Sequence, residues 1–160
     1  MRKLKTAIIG AGGIANGAHA PAYEKAENIE VVGVCDIIEE RAEKLAKRLG
    51  ADFWCTDYKK IFDIPGLDSV DICTPNYLHS IIAVEALNRG INVLCEKPDA
   101  INVAEAEKMK NAAEKSGKTL MVIRNNRFMG VSQYLKKYID DGKMGEIYSA
   151  RCGWQRRRGI

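Results

Sequence analysis

A chain of 160 residues has room for one α/β domain, or for one domain and the start of another. Its 46% hydrophobic and 29% charged residues are ordinary for a globular protein and exclude a disordered or low-complexity chain. The net charge of +4 is mild and uneven, with Arg151, Arg156, Arg157 and Arg158 in the last ten residues. No aromatic-interleaved patch or nucleic-acid motif accompanies them, so nucleic acid is not an expected partner. No uncharged apolar run approaches the ~18 residues of a membrane span.

The N-terminus, MRKLKTAIIGAGGIANGA, imitates a signal peptide. Its apolar run breaks at glycine after about five residues, short of the ~7–15 of a signal core. The five cysteines, Cys35, Cys55, Cys73, Cys95 and Cys152, form no C-x-x-C pair and are too widely spaced for a zinc ligand set. No metal is expected. An odd number of thiols without a pairing pattern points to a reducing, cytoplasmic compartment, with Cys35, Cys73 and Cys95 as small hydrophobes near strand ends.

Residues 5–16 read KTAIIGAGGIAN. A short apolar run enters a turn with the spacing G-x-G-x-x-A, formed by Gly10, Gly12 and Ala15. Gly10 allows the tight turn off a strand. Gly12 lets a pyrophosphate approach the backbone, and Ala15 lets the next helix lie close to the strand. The amides of Gly12, Gly13 and Ile14 then head a helix, where unpaired donors and the dipole favour an anion. A glycine-rich turn without a ligand has the same spelling, so context decides.

Residues 14–27 read as a helix kinked or restarted at Pro21. Residues 29–36, IEVVGVCD, are a β-branched strand ending in an acid. Residues 39–49 place Ala42, Leu45, Ala46 and Leu49 on one helical face, and Gly50 stops the helix. A short strand at 52–55 and a helical turn at 58–62 precede Pro65-Gly66. Residues 69–73, SVDIC, form a strand that runs into Thr74-Pro75-Asn76. A helix spans 79–89, and a strand at 92–95 delivers Glu96-Lys97-Pro98. Asn102 caps a helix to Ser116, with Glu105 in the capping-box position. A sixth strand covers 119–123.

Strands alternating with helices predict a doubly wound, mostly parallel sheet of the Rossmann type over residues 1–124. Residues 125–160 break the rhythm. A connecting helix at 131–141 and a strand at 146–154 look like the truncated start of a second, substrate or oligomerisation domain. The expectation is the N-terminal part of a longer protein.

In that fold the ligand crevice lies outside the carboxyl ends of strands one and four. Asp36, about twenty residues past the glycines, can accept hydrogen bonds from the adenosine ribose. It repels a 2′-phosphate, which favours NAD over NADP, and Arg41 could soften that preference. Thr74, Pro75 and Asn76 line the same crevice, as does the segment at Glu96. His79 is a cofactor contact or a capping or surface histidine. Lys97 is the ionisable group placed for chemistry. Its ammonium can polarise a substrate hydroxyl or carbonyl as hydride moves and share in proton transfer, with Glu96 holding it. The alternative is a surface lysine in a strand-to-helix loop.

GAGGIA, the strand-end Asp36, TPNYLH at residues 74–79, EKP at 96–98 and NNRF at 125–128 together resemble the Gfo/Idh/MocA family of nicotinamide-dependent oxidoreductases. The resemblance runs over essentially the whole chain. It implies an N-terminal Rossmann domain, then an α/β domain with a large, mostly antiparallel sheet that binds substrate and often mediates oligomers. It implies sugar, inositol or related polyol substrates, a homo-oligomer, Lys97 touching both nicotinamide and substrate, and Asn125 and Arg127 near the cofactor. There are two departures. Asp99 follows EKP where the family usually has an apolar residue. The family's catalytic histidine falls beyond residue 160, and neither His19 nor His79 matches it, so these 160 residues are expected to bind NAD(H) without turning over sugar. Two alternatives remain: an NAD-responsive regulator of the same fold, and a Rossmann-like methyltransferase, in which EKP and TPN have no role.

Overall fold

The computed structural model describes residues 2–153 and residue 155; Arg156, Arg157 and Arg158 and the last residue of the expected strand at 146–154 lie outside them. Six strands form one sheet: β1 (Leu4–Ile9), β2 (Ile29–Cys35), β3 (Phe53–Cys55), β4 (Ser69–Ile72), β5 (Asn92–Cys95) and β6 (Leu120–Val122). The order is β3-β2-β1-β4-β5-β6, and every pair is parallel. This is the doubly wound sheet that the alternating pattern predicts. The crossover from β3 to β4 reverses the direction of winding and opens a crevice at the carboxyl ends of β1 and β4.

The two sheet faces carry separate apolar clusters. Ala7, Ile9, Val70, Ile72 and Val93 point towards α3 (His79–Asn88) and α4 (Val103–Ser116). Ile8 and Val34 point the other way, against Ala42, Leu45 and Ala46 of α2 (Glu39–Leu49) and against Ala15 and Ala20. A parallel sheet buried on both faces explains why these strands read as continuous apolar runs. Gly50 and Gly117 end α2 and α4 in left-handed conformations, and Asn102 Oδ1 accepts the Glu105 amide at the start of α4. Cys35, Cys55, Cys73 and Cys95 are buried free thiols, and Cys152 is exposed.

Two elements differ from the sequence reading. Residues 14–27 are not one kinked helix: a π-helical turn over Ala15–His19 leads into the short α1 (Ala20–Tyr23). Pro21 has no N–H to continue an α ladder, and the Ala20 amide reaches back five residues to Ala15 O. The second difference is in the distal unit. The chain divides into Met1–Ile123 and Arg124–Ile160. The second unit holds a 3₁₀ turn (Asn125–Phe128) and α5 (Gly130–Asp140). Among the described residues after position 145 there is no strand. A strand is held by a hydrogen-bonded neighbour, and no described strand of this unit offers one.

Candidate functional site

The end of β1 turns sharply because of Gly10. Its φ is +101°, and its amide donates to Cys35 O at 2.7 Å. A Cβ built there would lie 2.7 Å from the Cys73 carbonyl carbon and oxygen. Only glycine combines that torsion with so close an approach of β1 to the end of β4. Gly12 and Gly13 are different: the space where their Cβ atoms would sit is open. Their amides and that of Ile14 lie in the first turn, where helix geometry leaves N–H groups without backbone acceptors.

Asp36 follows β2. Its Oδ2 accepts the Ala11 amide at 2.7 Å and its Oδ1 accepts the Ile38 amide at 2.9 Å. The first bond ties the carboxylate to the Gly-rich turn, and both oxygens retain lone pairs for a further donor. A crevice of about 400 Å³ opens between these parts. Gly10, Gly12, Gly13 and Ile14 line one side; Asp36, Ile37 and Arg41 another; Thr74, Pro75, Tyr77 and Leu78 the third. Thr56 and Tyr58, which sequence reasoning did not single out, complete it. Thr74 Oγ1 is buried with no hydrogen-bond partner. Such an orphan calls for a ligand or water group. Open glycines, free first-turn amides, a strand-end carboxylate and an unpaired hydroxyl suit a dinucleotide.

The remaining candidates lie elsewhere. Ala15 is fully buried and packs in the core. Asn76 starts a 3₁₀ turn and is exposed. His79 is fully buried behind the crevice, with Nδ1 2.7 Å from Pro98 O and Nε2 3.0 Å from Thr74 O. It joins the TPN and EKP loops from beneath. Glu96 is also buried, with Oε1 3.0 Å from His19 Nε2 and Oε2 accepting the Lys97 amide at 3.0 Å. Lys97 is exposed at the end of β5, and its peptide bond to Pro98 is cis. Asn125, which belongs to the second unit, accepts the Asn126 amide with its Oδ1.

Sequence reasoning missed the cluster behind Glu96. Asp71 is fully buried, accepts a hydrogen bond from Tyr23 at 2.8 Å and lies 2.6 Å from His19 Nδ1. A carboxylate inside SVDIC was the available signal, because a charge in a buried strand requires partners. His19 Nδ1, an Asp71 oxygen and Cys73 Sγ lie within 4.8 Å of one another, a spacing an ion could use. The His19 nitrogen already meets Asp71, however. Burial, with the charges of Asp71 and Glu96, raises the Cys73 thiol well above its ordinary range and keeps it protonated.

The comparisons agree with this geometry. The chain is 35% identical over 158 residues to D-glucoside 3-dehydrogenase of Escherichia coli (strain K12), covering 98% of this chain and 45% of the relative. It is 34% identical to glucose-6-phosphate 3-dehydrogenase of Bacillus subtilis (strain 168), covering 98% and 43%. Its fold matches the crystal structure of the WlbA dehydrogenase from Bordetella pertussis in complex with NADH and UDP-GlcNAcA, with a TM-score of 0.84 and 29% identity over 92% of this chain and 42% of that one. The chain thus spans less than half the length of these relatives. No helix among the described residues is long and apolar enough to cross a membrane. The model of an oxidoreductase family with an NAD-binding Rossmann fold matches residues 4–124, and the chain belongs to that family, Gfo/Idh/MocA.

Proposed function

We propose that this chain is the cofactor-holding part of a cytoplasmic, homo-oligomeric NAD-dependent oxidoreductase acting on a sugar, inositol or related polyol. The observation that carries the reading is the Asp36 carboxylate, tied to the Ala11 amide across a crevice floored by open glycines. The first-turn amides of Gly12, Gly13 and Ile14 would hold the pyrophosphate. Asp36 would accept the adenosine ribose hydroxyls, and Thr74 Oγ1 would gain its missing partner. When bound, the nicotinamide supplies the hydride acceptor. Lys97, at the end of the strand beside β4, is the side chain we assign to donating a hydrogen bond to the substrate oxygen, which stabilises the charge developing there. The sugar and inositol relatives support the substrate class. Residues 125–160 would be the connecting helix and entry to a substrate-binding domain.

Titrating the chain with NADH and NADPH by nicotinamide fluorescence tests the reading. NADH should bind more tightly than NADPH. Asp36→Ala should weaken NADH by about tenfold or more and narrow the gap to NADPH, because the lost carboxylate contributes about 1.5–3 kcal/mol through charge-assisted hydrogen bonds. Wild-type protein that binds neither nucleotide sinks the proposal.

A further inference from the structure

The buried cluster on the α1 side of the sheet links two parts of the proposed site. Asp71 projects from the middle of β4, fully buried. Its Oδ2 accepts the Tyr23 hydroxyl from α1 and faces His19 Nδ1 at 2.6 Å. The other ring nitrogen of His19 lies 3.0 Å from Glu96 Oε1, past the end of β5. Both ring nitrogens therefore face carboxyl oxygens; two carboxylates would accept from both, and only the imidazolium carries two N–H groups. Burial opposes that charge. The hydrogen bond and charge of Asp71, and then those of Glu96, outweigh it and hold the ring protonated up to about pH 9. The other titratable groups facing the ring, Tyr23 and Cys73, are both raised by burial and stay neutral.

The second oxygen of Glu96 accepts the backbone N–H of Lys97 at 3.0 Å. A continuous path thus runs from Tyr23 through Asp71, His19 and Glu96 to the backbone of Lys97. His19 is the last residue of the π turn that begins at Ala15, directly after the Gly12–Ile14 amides. π turns of this kind frequently sit at functional sites. A group that orders the first turn would be felt at His19, and through Glu96 at Lys97.

We propose that His19 is a positioning residue for Lys97, its ring bridging Asp71 and Glu96 so that Glu96 fixes the Lys97 backbone and passes the state of the Gly-rich turn to the lysine. The static part, His19 setting Glu96 and Glu96 setting Lys97, stands on the apo geometry. The transmitted part rests on the proposed NAD site.

Nuclear magnetic resonance separates the two. The chain has two histidines, so the imidazole ¹⁵N signals of His19 and His79 are readily assigned. At pH 7.5 the His19 ring should show two protonated nitrogens. The Lys97 amide should be protected from hydrogen exchange, and saturating NADH should raise its protection. His19→Ala should cut the apo protection about tenfold, the worth of one hydrogen bond, and abolish the response to NADH. His19→Gln, which keeps a donor without the charge, should restore part of the protection. In the wild type that protection should fall as pH passes about 9, and the His19→Gln protein should lack the step. If circular dichroism finds His19→Ala unfolded, Glu96→Gln decides alone, since it keeps the shape but loses one carboxylate acceptor. A neutral His19 ring at pH 7.5, or a Lys97 amide indifferent to both His19→Ala and Glu96→Gln, overturns the proposal. Failure of the wild type to bind NADH overturns the NAD reading and the transmitted part, and leaves the static part decided by the apo measurements.

Discussion

Gly10 and Gly12 sit two residues apart in one motif and answer to different demands. At Gly10 the φ of +101° and a virtual Cβ 2.7 Å from the Cys73 carbonyl are both structural constraints. Gly10→Ala should therefore lower stability by about 2–5 kcal/mol, the combined scale of backbone strain and overpacking. At Gly12 the Cβ position is open, so Gly12→Ala should leave the urea midpoint nearly unchanged while weakening NADH, because the added methyl stands where a pyrophosphate would approach. Urea unfolding and NADH titration of the two variants check this, and equal effects of both substitutions on stability would contradict it. The same contrast marks what one sequence shows at this scale. The G-x-G-x-x-A spacing and the strand-end acid are local patterns, so Gly10, Gly12 and Asp36 could be placed without coordinates. His79 could not. Its position after TPN is as consistent with a cap as with a cofactor contact, and only the coordinates place its ring between the carbonyls of Thr74 and Pro98, the latter 19 residues away.

Elements were legible where they carry a period or a cap. The apolar face of α2, its Gly50 stop and the Asn102–Glu105 cap of α4 are written locally. The turn before α1 was not, because a π ladder leaves no periodic signature in five residues and follows from Pro21 interrupting the α ladder. The expected strand at 146–154 shows the opposite limit. Its alternation describes a side-chain pattern, but a strand also needs a neighbour, which no local pattern supplies. α3 shows how an element is held. Ile82, Ala83, Ala86 and Leu87 are buried, and Ser80 donates to Glu105 of α4 at 2.6 Å. The helix is apolar over much of its circumference because it lies between the sheet and α4. Leu87→Ala removes a fully buried side chain that is not among the residues lining the crevice. It should cost about 2–5 kcal/mol in urea unfolding, and NADH affinity in the absence of denaturant should not change. A loss below about 1 kcal/mol would mean that α3 packs more loosely than its burial indicates.

At the scale of the whole molecule, the buried charges of His19, Asp71 and Glu96 link folding to pH. Their sequence separations, 52 residues for His19 to Asp71 and 77 for His19 to Glu96, hide the cluster from any local reading. Folding raises the His19 pKa from 6.5 to about 9, so between these values the native state holds a proton that the unfolded chain has released. The stabilisation is fully present below pH 6.5 and is lost as pH rises through about 9. One group with these two values accounts for a loss of about 2 kcal/mol between pH 6.5 and pH 8.5. The buried thiols act in the same direction but later. Burial raises Cys35 and Cys73, and takes Cys95 to about 12, all above their ordinary value of 9.0, so they weaken the fold only where unfolded thiols begin to ionise. The interval from pH 6.5 to pH 7.5 lies below that onset, so a comparison across it isolates His19, whose share of the loss there is about 1 kcal/mol. The urea midpoint of the wild type should fall across that interval, and the His19→Gln protein, less stable at pH 6.5, should be nearly flat. A wild-type midpoint unchanged over the same interval would mean that His19 is not held as a cation between Asp71 and Glu96.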